Sequence, residues 1–207
     1  LNCILPNTFS LLHINVNSIL GLEKSQGVDL ILKSNKVDLL VVAESKLGSD
    51  TPTSKFDYPE YEILRRDRVV YRKSCSKALN CSGGGGGGLL IFVKKIHKIV
   101  LNYTDPNFET ICLGLHINKR RCNFVITYNP HFEMRNDHIK HLKDMISKFD
   151  ASSKTIVVGD LNQDFLSNRG DKLKSAMSSY NFSNVITKPT HHQGNSDSLI
   201  DLIFTNE

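Results

Sequence analysis

The sequence predicts an α/β fold in which sheets are covered by helices. Short apolar runs rich in Val, Ile, Leu and Phe recur along the whole chain, each is bounded by Asn, Asp or Gly, and amphipathic stretches stand between some of them. At 207 residues the chain is long enough for one sizeable domain that buries roughly 70% of its unfolded surface.

Taken in order, the runs at 9–16, 37–43, 89–93, 111–117, 124–128, 155–158 and 199–204 read as strands, with 61–64 and 183–187 as weaker ones. Residues 133–149 set Met134, His138, Leu142, Met145 or Ile146, and Phe149 on one stripe, with Lys140, Lys143, Asp144 and Lys148 opposite, which predicts an amphipathic helix. Residues 22–36 and 171–180 predict two more; Gly27 weakens the first, and Leu173, Ala176 and Tyr180 share a stripe in the second. The stretch 70–88 is basic, carries Cys75 and Cys81, and ends in six consecutive glycines. A phosphate-cradling loop needs Lys and Ser or Thr after its last glycine, but Leu89 and Leu90 stand there, so this stretch reads as a flexible insertion.

A composition of 40% hydrophobic and 23% charged residues excludes a disordered, collagenous or coiled-coil chain. The net charge of +5 fits a polyanionic partner without demanding one. No run approaches the roughly 20 apolar residues of a membrane span, and the first residues lack the basic and apolar regions of a signal peptide. The expectation is a soluble intracellular protein, cytoplasmic or nuclear, with no membrane partner. Five cysteines without C-x-x-C spacing point to reduced thiols rather than a zinc site or a disulfide framework.

The apolar runs finish on acidic, amide or phenol side chains: Asn15 and Asn17, Glu44, Tyr128 and Asn129, Asp160 and Asn162. Strand ends are where open α/β folds gather ligands, although each such residue alone is more often a turn former. Asp201 lies within an apolar run and needs a cation or a hydrogen-bond donor to offset its desolvation. Glu44 and Asp160 with the amides of Asn15 and Asn162 make an oxygen-rich set suited to Mg2+ or Mn2+ and to phosphoryl chemistry. Arg65, Arg66 and Arg68, residues 94–98, and Lys119, Arg120 and Arg121 form basic clusters that are candidates for phosphate contacts.

The order of Asn15, of Glu44 in Ala43-Glu44-Ser45-Lys46-Leu47, of Tyr128, of Gly159-Asp160-Leu161-Asn162 and of Asp201 in Leu199-Ile200-Asp201-Leu202-Ile203-Phe204-Thr205-Asn206 resembles the endonuclease/exonuclease/phosphatase superfamily. More narrowly, it is similar to the apurinic-type endonuclease domain of non-LTR retrotransposon reverse transcriptases. The resemblance implies a two-sheet α/β sandwich with flanking helices that nicks DNA with Mg2+, or Mn2+ in its place, leaving a 3′-hydroxyl for target-primed reverse transcription. The implied partners are DNA and a reverse transcriptase domain in the parent polyprotein; the oligomeric state stays open. By position, Glu44 would be the principal metal ligand with Asn15 beside it. Tyr128 would donate to the scissile phosphate, Asp160 would orient or deprotonate water, and Asn162 would hold the phosphate. Thr190 would be a phosphate or supporting contact, and Asp201 would orient a catalytic histidine. In the family that histidine belongs to a Ser-Asp-His motif downstream, and this sequence stops six residues after Asp201, so the expectation is an incomplete, impaired domain. His191 and His192 read as solvated loop residues. The alternatives are a phosphoesterase of the same superfamily acting on a small, lipid or RNA substrate, and a non-catalytic nucleic-acid-binding remnant.

Overall fold

A computed structural model describes residues 8–48, 50–68, 87–130, 135–194 and 196–206. The first sheet holds β1 (Leu11–Asn15), β2 (Leu39–Ala43), β3 (Tyr61–Arg66) and β4 (Leu89–Lys94) in the order β1-β2-β4-β3. β1 and β2 are parallel, joined by α1 (Leu22–Lys33), and the other pairs are antiparallel. The second sheet holds β5 (Lys98–Thr104), β6 (Glu109–Ile117), β7 (Arg120–Tyr128), β8 (Lys154–Asp160), β9 (Ser183–Asn184) and β12 (Asp201–Thr205), in the order β5-β6-β7-β8-β12-β9. α2 (Arg135–Ile146) makes the crossover between parallel β7 and β8, and α3 (Asp171–Ser178) follows β8. A small hairpin of β10 (His191–Gln193) and β11 (Ser196–Ser198) precedes β12.

Alternation along the strands explains the layering. Leu39, Val41 and Ala43 face the second sheet, where Ile111, Leu113, Phe124 and Ile126 meet them, while Leu40, Val42, Leu90 and Phe92 face α1 through Val28 and Leu32. On the far face, Val125 and Val157 pack under Ile139, Leu142, Met145, Leu173 and Met177 of α2 and α3. The result is four layers: helix, sheet, sheet, helices. β2 is buried on both faces, which is why Leu39–Ala43 reads as an unbroken apolar run rather than an alternating one. Each such fully buried aliphatic side chain contributes about 1.5–3 kcal/mol.

The predicted α/β sandwich is observed, with four local differences. β5 escapes a hydrophobic reading because it is an edge strand with an alternating, mostly polar face. The strand predicted at 183–187 shortens to Ser183–Asn184, because the Asn184 side chain accepts from the backbone N–H groups of Ile186 and Ile203 and turns the chain away. His191 and His192 lie in β10 rather than in a loop, both exposed, with His192 Nδ1 2.6 Å from Asp197 Oδ1. Of the flexible insertion expected at 70–88, residues 70–86 lie outside the described residues. Gly87 and Gly88 depart from that expectation: they are buried, with φ of 92° and 86°, and their carbonyls accept from Lys46 and Ser45. Among the described residues no helix is long and apolar enough to cross a membrane.

Candidate active site

Strand register brings the predicted residues to one end of the sandwich. Asn15 pairs with Ala43 in parallel β1 and β2, so Asn15 and Glu44 leave the first sheet side by side. Tyr128 pairs with Asp160 in parallel β7 and β8, and Asp201 pairs with Asp160 across antiparallel β8 and β12. The cleft therefore straddles the seam between the sheets. It has a volume of about 580 Å3 and is lined by His13, Asn15, Glu44, Asp160, Thr190 and Asp201 among others.

Two residues tie the halves together. The Asn15 amide donates to Glu44 Oε1 at 3.0 Å and to Asp160 Oδ2 at 2.9 Å. The Tyr128 hydroxyl donates to the same Glu44 oxygen at 3.1 Å. Asp160 Oδ1 accepts the backbone N–H of Asn162 at 3.0 Å, and the Asn162 amide donates to the Asn129 carbonyl at 2.7 Å. Thr190 does not point a free hydroxyl oxygen at the cleft: Oγ1 accepts the N–H groups of Asp201 and Ile200, which fixes the start of β12.

The turn carrying Glu44 is strained and clamped. Glu44, Lys46, Asn17, Ser18 and Asn162 all adopt positive φ, a conformation costly for residues other than glycine, and all five lie at this end of the fold. Backbone bonds from Ser18 to Glu44 and from Lys46 to Gly87 hold the turn on both sides. Gly88 has to be glycine, since a Cβ there would come within 2.8 Å of Ser45 Oγ. Gly159 is equally constrained, because a Cβ would meet the Thr127 carbonyl oxygen at 1.7 Å.

Electrostatics follow from three carboxylates converging. Burial, then the charge on Asp201, push Asp160 up to about 7, against the pull of the Asn15 and Asn162 N–H groups. Burial and the neighbouring Glu44 and Asp160 likewise raise the Tyr128 phenol, which keeps it a neutral donor. His13, missed as a site residue, lies with Nδ1 3.3 Å from Asp201 Oδ1. The two groups are close without hydrogen-bond alignment, and Asp201 Oδ1 and His13 Nε2 are both buried with no hydrogen-bond partner among the described residues. Burial lowers the His13 pKa more than Asp201 raises it. Its position two residues before Asn15, on the same strand face, was the available signal.

Among the described residues no compact group of three or more His, Cys, Asp or Glu is poised to enclose a metal. The donors present are carboxylate and amide oxygens on one wall of an open cleft, with an unsatisfied Asp201 oxygen among them. That fits a hard cation that completes its shell with water and phosphate, as Mg2+ does, and does not fit zinc.

The basic clusters separate by where their donors go. Arg66, buried, donates to the backbone carbonyls of Asp105, Phe108, Asp67 and Pro106, and Arg65 to Asp67, Thr51, Thr53 and Gly48. The phosphate contacts expected of both are corrected accordingly: a guanidinium whose N–H groups are consumed by its own chain has little left for a ligand. Arg68 stays near the site, ion-paired with Glu109 and 5.6 Å above the Tyr128 ring. Lys119, Arg120 and Arg121 lie at the opposite end of β7, about 27 Å from Tyr128 at strand rise, and do not join the cleft.

The four-layer fold is the one shared by solved endonuclease/exonuclease/phosphatase family proteins. Residues 122–207 match the family described as endonuclease-reverse transcriptase. The endonuclease domain of TRAS1, a telomere-specific non-LTR retrotransposon, superposes with a TM-score of 0.70 at 13% identity, covering 97% of this chain and 86% of that one. An AP endonuclease from Archaeoglobus fulgidus gives 0.68 at 15% identity, covering 96% and 87%. The 3′ phosphatase NExo from Neisseria, bound to a product DNA hairpin, gives 0.68 at 12% identity, covering 96% and 86%. No curated protein sequence matches the chain.

Proposed function

We propose that this chain is a Mg2+-dependent endonuclease, with Mn2+ as a substitute, that nicks a DNA phosphodiester and leaves a 3′-hydroxyl for a reverse transcriptase domain of the same polyprotein to extend. The observation that carries the reading is the bonded set Asn15–Glu44–Tyr128 and Asn15–Asp160, with Asp160 held near 7. Further support comes from the endonuclease-reverse transcriptase match and from a DNA-bound neighbour of the same fold.

Glu44, with Asn15 beside it, would hold the metal, which supplies charge neutralisation at the phosphate and at the departing oxygen. Asp160 takes the proton of the attacking water, a task suited to a carboxylate titrating near neutral pH. The water oxygen bonds to phosphorus, the bond from phosphorus to the 3′ oxygen breaks, and a 5′-phosphate and a 3′-hydroxyl remain. Tyr128, neutral, turns its single O–H from Glu44 to the phosphate as charge builds on it. Asn162 is braced on Asn129 and offers its remaining N–H to the same group.

Nicking of supercoiled plasmid tests this. Open circles are expected with Mg2+, none with EDTA and none from Asp160→Asn, and a DNA polymerase should extend the nicks without prior phosphatase treatment. Nicking that persists in EDTA, or ends that need phosphatase before extension, would overturn the reading.

A further inference from the structure

A second cleft, of about 870 Å3, lies at the other end of the sandwich, where β7 and β8 begin and β1 is entered. Arg120, Arg121 and Lys154 line it, and none of its described lining residues is acidic. Its apolar part is formed by Phe9, Ile117 and Ile156, all only partly buried. Its size falls in the range of ligand pockets, about 300–1,000 Å3.

The charge on this rim is spent differently from that of the arginines near β3. Among the described residues Arg121 makes one hydrogen bond, from Nε to Asn123 Oδ1, which orients the guanidinium while leaving its other N–H groups. Arg120 and Lys119 are exposed beside the two-residue turn Asn118–Lys119. Lys119 has a φ of 66°, where glycine would be the easier residue, so the turn keeps a cation at a conformational cost.

Cations along a groove with an aromatic ring and aliphatic groups at its base match the chemistry of nucleic-acid strands, whose phosphates need charge and whose unpaired bases need an apolar face. We propose that this far-end cleft binds a single-stranded nucleic acid through its phosphodiester backbone. Arg120 and Arg121 meet phosphates, and Phe9 with Ile117 and Ile156 meets bases. The separation of about 27 Å along β7 makes this site distinct from the carboxylate cleft, and the inference does not depend on what that cleft cuts.

The test is fluorescence anisotropy of labelled dT12 and U12 in EDTA across a salt series. Arg120→Gln combined with Arg121→Gln should weaken binding about tenfold and lower the log–log salt slope by about 1.4, the value for two contacts on a single strand. Both side chains are exposed, so circular dichroism should stay native. Equal binding of dT12 and U12 means the phosphates dominate; a preference for either identifies the strand as DNA or RNA. Wild-type affinity and slope in the double variant would overturn the proposal and put the strand elsewhere on the protein.

Discussion

Asp160 and Asp201 sit directly opposite each other across the β8–β12 pair, two carboxylates where a strand pair normally avoids like charge. Asp160 answers by holding its proton up to about 7, with burial as the larger cause and Asp201 the next. In the unfolded chain the same group ionises near 3.8, the ordinary aspartate range. Between those values the folded protein carries the extra proton, so this residue costs stability increasingly as pH rises and the full cost is present above 7. In divalent-free buffer at pH 8, Asp160→Asn should therefore stabilise the protein by about 2–4 kcal/mol, with the gain fading towards pH 4. Urea midpoints of the two proteins at pH 8 and pH 4.5 measure it; a destabilised variant at pH 8 would contradict the electrostatic account.

Glu44→Gln removes charge at nearly constant shape and leaves an oxygen for the Asn15 and Tyr128 bonds. The fold should persist while Mg2+ no longer raises Tm as it does for the wild type, since stabilisation by a ligand follows its affinity. Mn2+ titration should show affinity reduced at least several-fold. An unchanged thermal shift would remove Glu44 from the metal assignment.

His138 and His141 of α2 reach into the second sheet, where Thr127 and Thr110 pair across β7 and β6. His138 Nε2 is 3.0 Å from Thr127 Oγ1, the two threonine oxygens are 2.8 Å apart, and His141 Nε2 is 3.0 Å from Thr110 Oγ1. Burial drives His138 down to about 3 and lowers His141 as well. Both are neutral in the folded state at pH values where the unfolded chain takes up protons, so stability is lost as pH falls below 6.5 towards about 3. His138 alone should cost about 1.4 kcal/mol per pH unit in that window. His138→Leu should flatten the acid limb of the stability profile; an unaltered limb would mean that the imidazole is not kept neutral.

Arg66 gives a test that separates structure from ligand contact. Arg66→Gln strips donors from the carbonyls of Asp105, Pro106 and Phe108, and buried acceptors left unpaired cost about 1–3 kcal/mol each at most. A clear drop in Tm is expected, with the salt slope of DNA binding unchanged. A reduced slope at unchanged Tm would return Arg66 to the phosphate contacts.

Much of the architecture was legible because it follows from period and burial: the doubly buried β2 and β4 could only be short apolar runs, and residues closing parallel strands, Asn15 ending β1, Glu44 following β2, and Tyr128 and Asp160 at the ends of β7 and β8, emerge at one end. Asn15, Glu44, Tyr128, Asp160 and Asp201 were therefore readable as a set. The fates of Arg65 and Arg66 were not, since a run of positive charge does not say which carbonyls stand within reach. His138 showed as a stripe position, but its bond to Thr127 depends on how α2 lies over β7, which no local pattern encodes. Gly87 and Gly88 were hidden in a longer glycine run whose composition speaks for freedom, whereas their neighbours Ser45 and Lys46 fix them.

The seam position of the cleft has a consequence for the order in which the chain is made. Every strand of the first sheet lies before residue 95 and every strand of the second after residue 97, so Asn15 and Glu44 are synthesised long before Tyr128, Asp160 and Asp201. A nascent chain still emerging from the ribosome holds one wall of the cleft without the other. The cleft stays incomplete until β12 slots between β8 and β9. Under the proposed activity, a chain stopped before β12 would lack Asp201 and one side of the carboxylate cleft, and so would be unable to nick DNA.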